Sequence, residues 1–292
     1  MSSTSTTPIA LAANDAAQPA ENTLHTSSLS KETRTRHSIA KRLHWHRLRG
    51  LVVPVVAIAL WWLAARFEWV HSALLVSPAQ VVETGWEMIR SGQLWINLRA
   101  SLLRELTGFV IGSAGGLALG LLLGLWPAFQ RVVGPSFNTF KQISLFAWIP
   151  LISVWFGLGD VAKVVFLSLA ALVPVTVHTA DGIRNTPDKL LEVAKVYGYT
   201  RTQTIWQVVL PAAIPSIFTG IYLALVYSWL ATIGAEYLLV AGHGIGNLLV
   251  EGSEHFQMDL VLFAMVAIGL IGWLMNASAR VLERAIARRL GR

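Results

Sequence analysis

Residues 186–211 read TPDKLLEVAKVYGYTRTQTIWQVVLP, a polar and charged interval between two runs, 164–180 and 212–235, that contain no Asp, Glu, Lys or Arg. Thr186, Pro187 and Asp188 supply an N-cap, a proline at the first helical position and an early acid. These suit a helix start, because the first turn leaves N–H groups unpaired and a partial positive charge exposed. Leu190, Leu191, Ala194 and Tyr197 then recur at helical spacing, and Gly198 supplies the stop. A second start follows at once: Thr200-Arg201-Thr202-Gln203 is a capping box. Its helix is expected to run through Ile205, Trp206 and Val209 and to end at Pro211. The interval is therefore two short helices hinged at a glycine. Helices of about eleven residues are marginal alone in water, so the pair must dock on the chain's own membrane helices or on a separate partner.

Working outward, charge-free runs cover 50–65, 106–130, 142–159, 164–180, 212–235 and 260–279. A helix needs roughly 20 residues at about 1.5 Å each to cross a hydrocarbon core of about 30 Å. The runs predict an all-α membrane protein with about six transmembrane helices. Composition agrees: 54% of the 292 residues are hydrophobic and only 13% charged, about half the charged share of soluble proteins. Mean hydropathy is +0.56. A soluble globule is excluded. With the amino end placed in the cytoplasm, 18 Lys and Arg fall on the inner side: the tail, the loops after the second and fourth runs, and the carboxyl end. Five fall outside, at Arg66, Arg90, Arg99, Arg104 and Lys163. The positive-inside rule then puts both termini in the cytoplasm. The net charge of +7 is thus a matter of membrane topology rather than of nucleic-acid binding.

Residues 1–49 are rich in Ser, Thr and Ala and turn basic from Lys31, which predicts a disordered cytoplasmic tail rather than a cleaved signal peptide. The division is then a tail at 1–49, a first membrane helix at 50–66, a transmembrane domain over 97–280 and a basic cytoplasmic end at 281–292. In the second run Gly108, Gly112, Gly116, Gly120 and Gly124 fall every fourth residue, a narrow stripe that lets a neighbouring backbone approach closely. Plain helix packing is the simplest use of it, and a sliding seam between moving helices is the functional one. Pro150 and Pro174 are expected to bend the third and fourth spans. The absence of cysteine excludes disulfides, thiol catalysis and cysteine-ligated metal sites. No G-x-x-x-x-G-K-[ST] occurs, so the chain carries no P-loop for ATP.

Glu192-Val193-Ala194, Gly198 four residues on, then Val208 and Leu210-Pro211 resemble the E-A-A-x-x-x-G-x9-I-x-L-P loop of bacterial ABC importer permeases, with Val193 and Val208 as mild departures. Ile149-Pro150-Leu151 through Trp155-Phe156-Gly157-Leu158-Gly159, and Phe218-Thr219-Gly220 with Ala235-Glu236, are similar to the sulfonate, taurine and nitrate branch. The resemblance covers roughly residues 97–280 and is strongest toward aliphatic sulfonate permeases. It implies the type I importer permease fold in the bacterial inner membrane, with 184–211 as a cytoplasmic coupling loop. It also implies a second permease copy, ABC ATPase subunits that hold ATP and Mg, and a periplasmic solute-binding protein. On this chain it implies no cofactor, no metal, no nucleic acid and no catalytic residue. Glu192, Ala194, Gly198, Leu210 and Pro211 become the ATPase-coupling positions. Gly198 permits the turn, Ala194 keeps the docking surface shallow, Glu192 accepts charge-assisted hydrogen bonds from the partner, and Pro211 ends the second helix.

Glu236, at the outer end of the fifth run, is a pathway or gate candidate whose edge position lets it reach water. His178 reads as a packed or interfacial histidine, and His243, Glu251, Glu254 and His255 as a solvated outer loop with no metal-ligand spacing. No cation interrupts the six runs, so specificity is expected to reside in the binding protein. An ion-coupled carrier would call for several intramembrane acids or a visible repeat. A helix-turn-helix regulator would need a supporting domain that two flanking spans leave no room for. No catalytic constellation supports an intramembrane hydrolase.

Overall fold

A computed structural model describes residues 52–53, 55–67, 76–239 and 241–289. The expected tail, 1–49, and the last residues of the basic end lie outside the described residues. The chain divides into two units between Trp61 and Trp62, and the architecture below is that of the second. The division falls within α1 (Val55–Arg66), a short apolar helix.

Every regular element among the described residues is helical: α2 (Pro78–Arg90), α3 (Gln93–Leu125), α4 (Pro127–Phe140), a 3₁₀ turn (Leu145–Trp148), α5 (Ile149–Phe156), α6 (Asp160–Arg184), α7 (Asp188–Val196), α8 (Arg201–Thr204), a π turn (Ile205–Val209), α9 (Leu210–Leu238), α10 (Ile245–Glu254) and α11 (Met258–Arg289). Four helices are long and apolar enough to cross a membrane: α3, α6, Arg201–Leu238 and α11. The expected third span is instead part of a bent pair. α4 and the segment Leu145–Phe156 meet at 92°. The six expected crossings thus resolve as four full-length helices, one broken pair and the short α1.

The discrepancy has a physical cause. A charge-free run marks where a helix tolerates lipid, not where hydrogen bonding begins and ends. α3 starts at Gln93, well before the run at 106–130, and carries Arg99, Arg104 and Glu105 as helical residues. Arg131, expected in a loop, lies inside α4. Pro150 does not bend a span but lies in the first turn of the short α5, where its missing N–H costs nothing. Pro174 does sit inside α6.

The centre is a three-helix layer in which α6 lies between α3 and α9. Ile152, Ala162, Phe166, Leu167, Ala231 and Ala235 form its largest buried cluster, at the end where α6 begins. Close approach of α3 and α6 depends on the glycine stripe. A Cβ at Gly112 would lie 2.2 Å from the Ser168 carbonyl oxygen, and one at Gly116 2.6 Å from that of Leu172. Gly108, Gly120 and Gly124 would likewise strike Leu167, Thr179 and Ile183. Small residues let the backbones touch where lipid offers no hydrophobic drive for association. α11 packs on α2, α9 and α10 and leaves Met265, Val266, Leu270, Trp273 and Leu274 exposed, an apolar face suited to lipid.

Candidate functional site

Two ends of the layer carry the candidate residues. The first holds α7 and the start of Arg201–Leu238. α7 spans Asp188–Val196 as expected, but Thr186 does not cap it: the N-cap is Pro187, with no side-chain bond. The Thr186 hydroxyl donates back to the Ile183 carbonyl at 2.8 Å, closing the end of α6. At the other end of α7 the Tyr199 N–H donates to the Ala194 carbonyl and the Gly198 N–H to that of Lys195, both at 3.0 Å. This is a Schellman motif, with Gly198 at φ +69°. The spacing of four between Ala194 and Gly198 is therefore the spacing of a helix stop: the alanine offers the carbonyl that the Tyr199 N–H takes, and the glycine takes the left-handed turn. Thr200 makes the expected capping box with Gln203.

Two of the expected roles are corrected. Pro211 does not end a helix. The Leu210 N–H reaches back five residues to the Ile205 carbonyl, and this π turn carries the chain past the proline into α9, where Pro211 occupies the first turn. A π turn re-phases the ladder so that the missing proline donor falls at a junction rather than inside a regular repeat. Ala194 does not keep a partner-facing surface shallow either, because it is 2% exposed, on the α7 face that meets the π turn. Beside it Leu191 packs on Ile183, Val209 and Ala213. What α7 turns outward is Leu190, Val193, Val196 and Tyr197, all exposed, Val196 at 86%. Glu192 is exposed too and has no hydrogen-bond or ion-pair partner among the described residues. One face of α7 therefore seats on the chain's own α6 and α9, and the other is left open.

The opposite end holds a buried charge cluster that the sequence did not reveal. Glu236 is 1% exposed; the expectation that it reaches water from an edge position is not met. Arg104 Nη1 donates to its Oε1 at 2.5 Å, Ser101 Oγ lies 2.7 Å from the same oxygen, and the Gly246 N–H donates to Oε2 at 2.8 Å. Arg104 also pairs with Asp160 at 3.1 Å and donates to the His243 carbonyl. Asn97 Oδ1 accepts from the Gly244 N–H at 2.8 Å and Ser101 Oγ from the Ile245 N–H at 2.9 Å. Lys163, fully buried, donates to the Ala241 carbonyl at 2.6 Å. The logic is that of a helix N-terminus. α10 begins at Ile245 with a glycine N-cap and no cap of its own, so its free N–H groups are satisfied by Asn97, Ser101 and Glu236 from other helices. A Cβ at Gly244 or Gly246 would collide with the Glu236 side chain.

Buried cations therefore do exist, at Arg104 and Lys163, both expected in outer loops but found inside α3 and α6. A second buried acid, Glu105, accepts from Ser228 and Thr232 of α9 at 2.6 Å each. The dipeptide Arg104-Glu105 at the head of a glycine-striped helix was the available signal; counting charge-free runs discarded it. His178 is half-buried, with its carbonyl accepting from Ser216 at 2.8 Å. Glu251 and Glu254 lie on α10, followed by His255.

A family model described as the binding-protein-dependent transport system inner membrane component matches residues 116–292. The chain belongs to that family. As an importer permease it is similar to the putative aliphatic sulfonates transport permease of Escherichia coli strain K12, with 38% identity covering 82% of this chain and 90% of that one. The corresponding Bacillus subtilis strain 168 protein is 34% identical over 85% of this chain and 89% of its own. Among solved structures, a chain of the MetNI methionine ABC transporter in inward-facing conformations matches at TM-score 0.54 and 22% identity, covering 69% of this chain and 96% of that chain. That likeness concerns the fold alone, the type I importer permease. The permease is a multi-pass membrane protein and a translocation subunit of an ABC importer.

Proposed function

We propose that the permease forms, with a second copy of itself, the inner-membrane path of an importer for a small organic anion such as an aliphatic sulfonate. A periplasmic binding protein delivers the anion, and separate ATPase subunits with ATP and Mg bind at α7. Both termini lie in the cytoplasm. The reading of the solute is supported by the two sulfonate permeases to which the chain is similar, and taurine or nitrate is the alternative within the same branch.

One observation carries the coupling role: α7 is fastened on one face and bare on the other. Leu191 fixes it to Ile183 at the end of α6, to Val209 in the π turn and to Ala213 at the start of α9, so a push on α7 is delivered to the central helix of the layer and to one of its neighbours. The outward face presents apolar side chains around an unpaired Glu192, a surface able to seat in a cleft and to accept charge-assisted hydrogen bonds. ATP-driven closure of the ATPases then shifts the balance between two packings of the membrane helices, each with its own contacts at α7.

Glu192→Lys tests this. The exposed change is expected to leave membrane insertion and melting temperature unaltered while uptake of ethanesulfonate by the assembled importer is lost. Normal uptake at normal expression removes α7 from the mechanism.

A further inference from the structure

Between α4 and the 3₁₀ turn, residues 141–144 leave backbone outside regular helix in the middle of an apolar pair bent by 92°. Non-helical backbone at membrane depth is tolerated only where protein buries it or a water-filled cavity meets it. A cavity of about 510 Å³ opens on this break, within the range of small-molecule sites. Lys141, Gln142 and Ser144 enter its lining from the break, Trp148 from the 3₁₀ turn, His178 from α6 and Tyr227 from α9. Its walls run from Leu169 to His178 on α6 and from Leu223 to Tyr227 on α9, stretches that include or adjoin the midpoints of both helices. The cavity therefore lies beside the middle stretches of both helices.

Lys141 decides what such a cavity holds. It is exposed, and the ion pairs among the described residues are both made by Arg104. An ammonium group on an apolar helical pair is expensive where it faces lipid, so it must look into water or the bundle interior. Lys141 also borders a small recess shared with Asp181 and Arg184. Arg184 is occupied there by the Leu123 carbonyl and Gln130, and Asp181 forms no ion pair with Lys141. The lining thus presents a cation outside any ion pair among the described residues, an imidazole, an amide and a hydroxyl together with aromatic rings.

We propose that this cavity is a binding station on the translocation path for a small organic anion. Lys141 and His178 hold the acid group, Gln142 and Ser144 add hydrogen bonds, and Trp148 and Tyr227 cover the apolar chain. The choice of a sulfonate rests on the function proposed above, whereas the sign of the charge rests on the lining. The station is walled by α6 and α9, the same helices on which α7 is seated, so the docking surface and the solute site share their moving parts.

The chain has no cysteine, so Ser144→Cys places a single thiol at the station in the full importer, assembled with its ATPase and binding protein in vesicles. Labelling rates are compared for an anionic reagent, 2-sulfonatoethyl methanethiosulfonate, and its cationic trimethylammonium counterpart, without nucleotide and with ATP. In at least one state the thiol reacts from water, and adding Lys141→Gln lowers the anionic-to-cationic rate ratio by about tenfold, the effect of removing one nearby charge. Lys141→Arg keeps the ratio, and propanesulfonate slows labelling only while the cation is present. An unreactive thiol in both states, or a ratio unmoved by Lys141→Gln, overturns the station. Ethanesulfonate uptake is measured alongside. A retained anion preference with no sulfonate uptake sinks the sulfonate reading and leaves the station standing. Sulfonate uptake with an unmoved ratio does the reverse.

Discussion

The two ends of the helical layer solve opposite problems. At the α10 end every buried charge is answered within the chain: Glu236 by Arg104, Ser101 and a backbone N–H, Arg104 by two carboxylates and a carbonyl, Lys163 by Ala241. At the α7 end apolar side chains lie exposed and Glu192 has no partner among the described residues, although the helix that carries them is firmly seated. The first end is self-sufficient and the second is unfinished. The proposed coupling to a separate ATPase calls for this asymmetry: a fixed end against which helices can lever, and an end left for a neighbour to complete.

The largest effect is expected from breaking the self-sufficient end. Arg104→Ala leaves the buried Glu236 without its paired guanidinium, and removal of one partner of a buried pair costs about 3–5 kcal/mol. A sharp fall in melting temperature in detergent is the expected outcome, with much of it recovered when Glu236→Leu is added. If Arg104→Ala melts like the parent, the cluster does not hold the α9–α10 connection.

Next comes the seam between α3 and α6 that joins the two ends. Gly112→Val puts side-chain atoms where the Ser168 carbonyl already lies, and overpacking of this kind costs about 1–3 kcal/mol. Stability should fall, whereas Gly115→Val, where a Cβ meets only a Leu172 methyl at 3.6 Å, should be tolerated. Equal behaviour of the two variants would break the one-sided reading of the stripe.

A smaller loss is expected at the α7 stop. Gly198 has nothing within 4 Å of an added Cβ but a φ of +69°, so Gly198→Ala is opposed by backbone strain of about 1–2 kcal/mol rather than by crowding. The local helix should fray, measured as faster amide exchange over α7, and ATPase association should weaken. The smallest change in stability belongs to Val196→Asp. With the side chain 86% exposed, melting should move by no more than about 0.5 kcal/mol equivalent, while co-purification of the ATPase falls. A variant that loses stability but keeps its partner would reverse the comparison.

Local chemistry determined much of this from sequence. Runs free of charge announced membrane helices, because a charge in hydrocarbon is costly wherever it stands. The Thr200–Gln203 capping box and the Gly198 stop were legible, because they are satisfied by residues within five positions of one another. The every-fourth-residue glycines announced a packing face for the same reason. Tertiary structure alone decided the rest. That Arg104, Lys163 and Glu236 are buried depends on α3, α6 and α9 meeting at one end, and on the N-terminus of α10 needing donors and acceptors from helices distant in sequence. That Ala194 faces inward and Pro211 is passed over depends on a π turn set by where α9 packs. The broken third span depends on what its neighbours leave open. Such features are contacts between residues far apart in the chain, and their free energy appears only when the helices assemble.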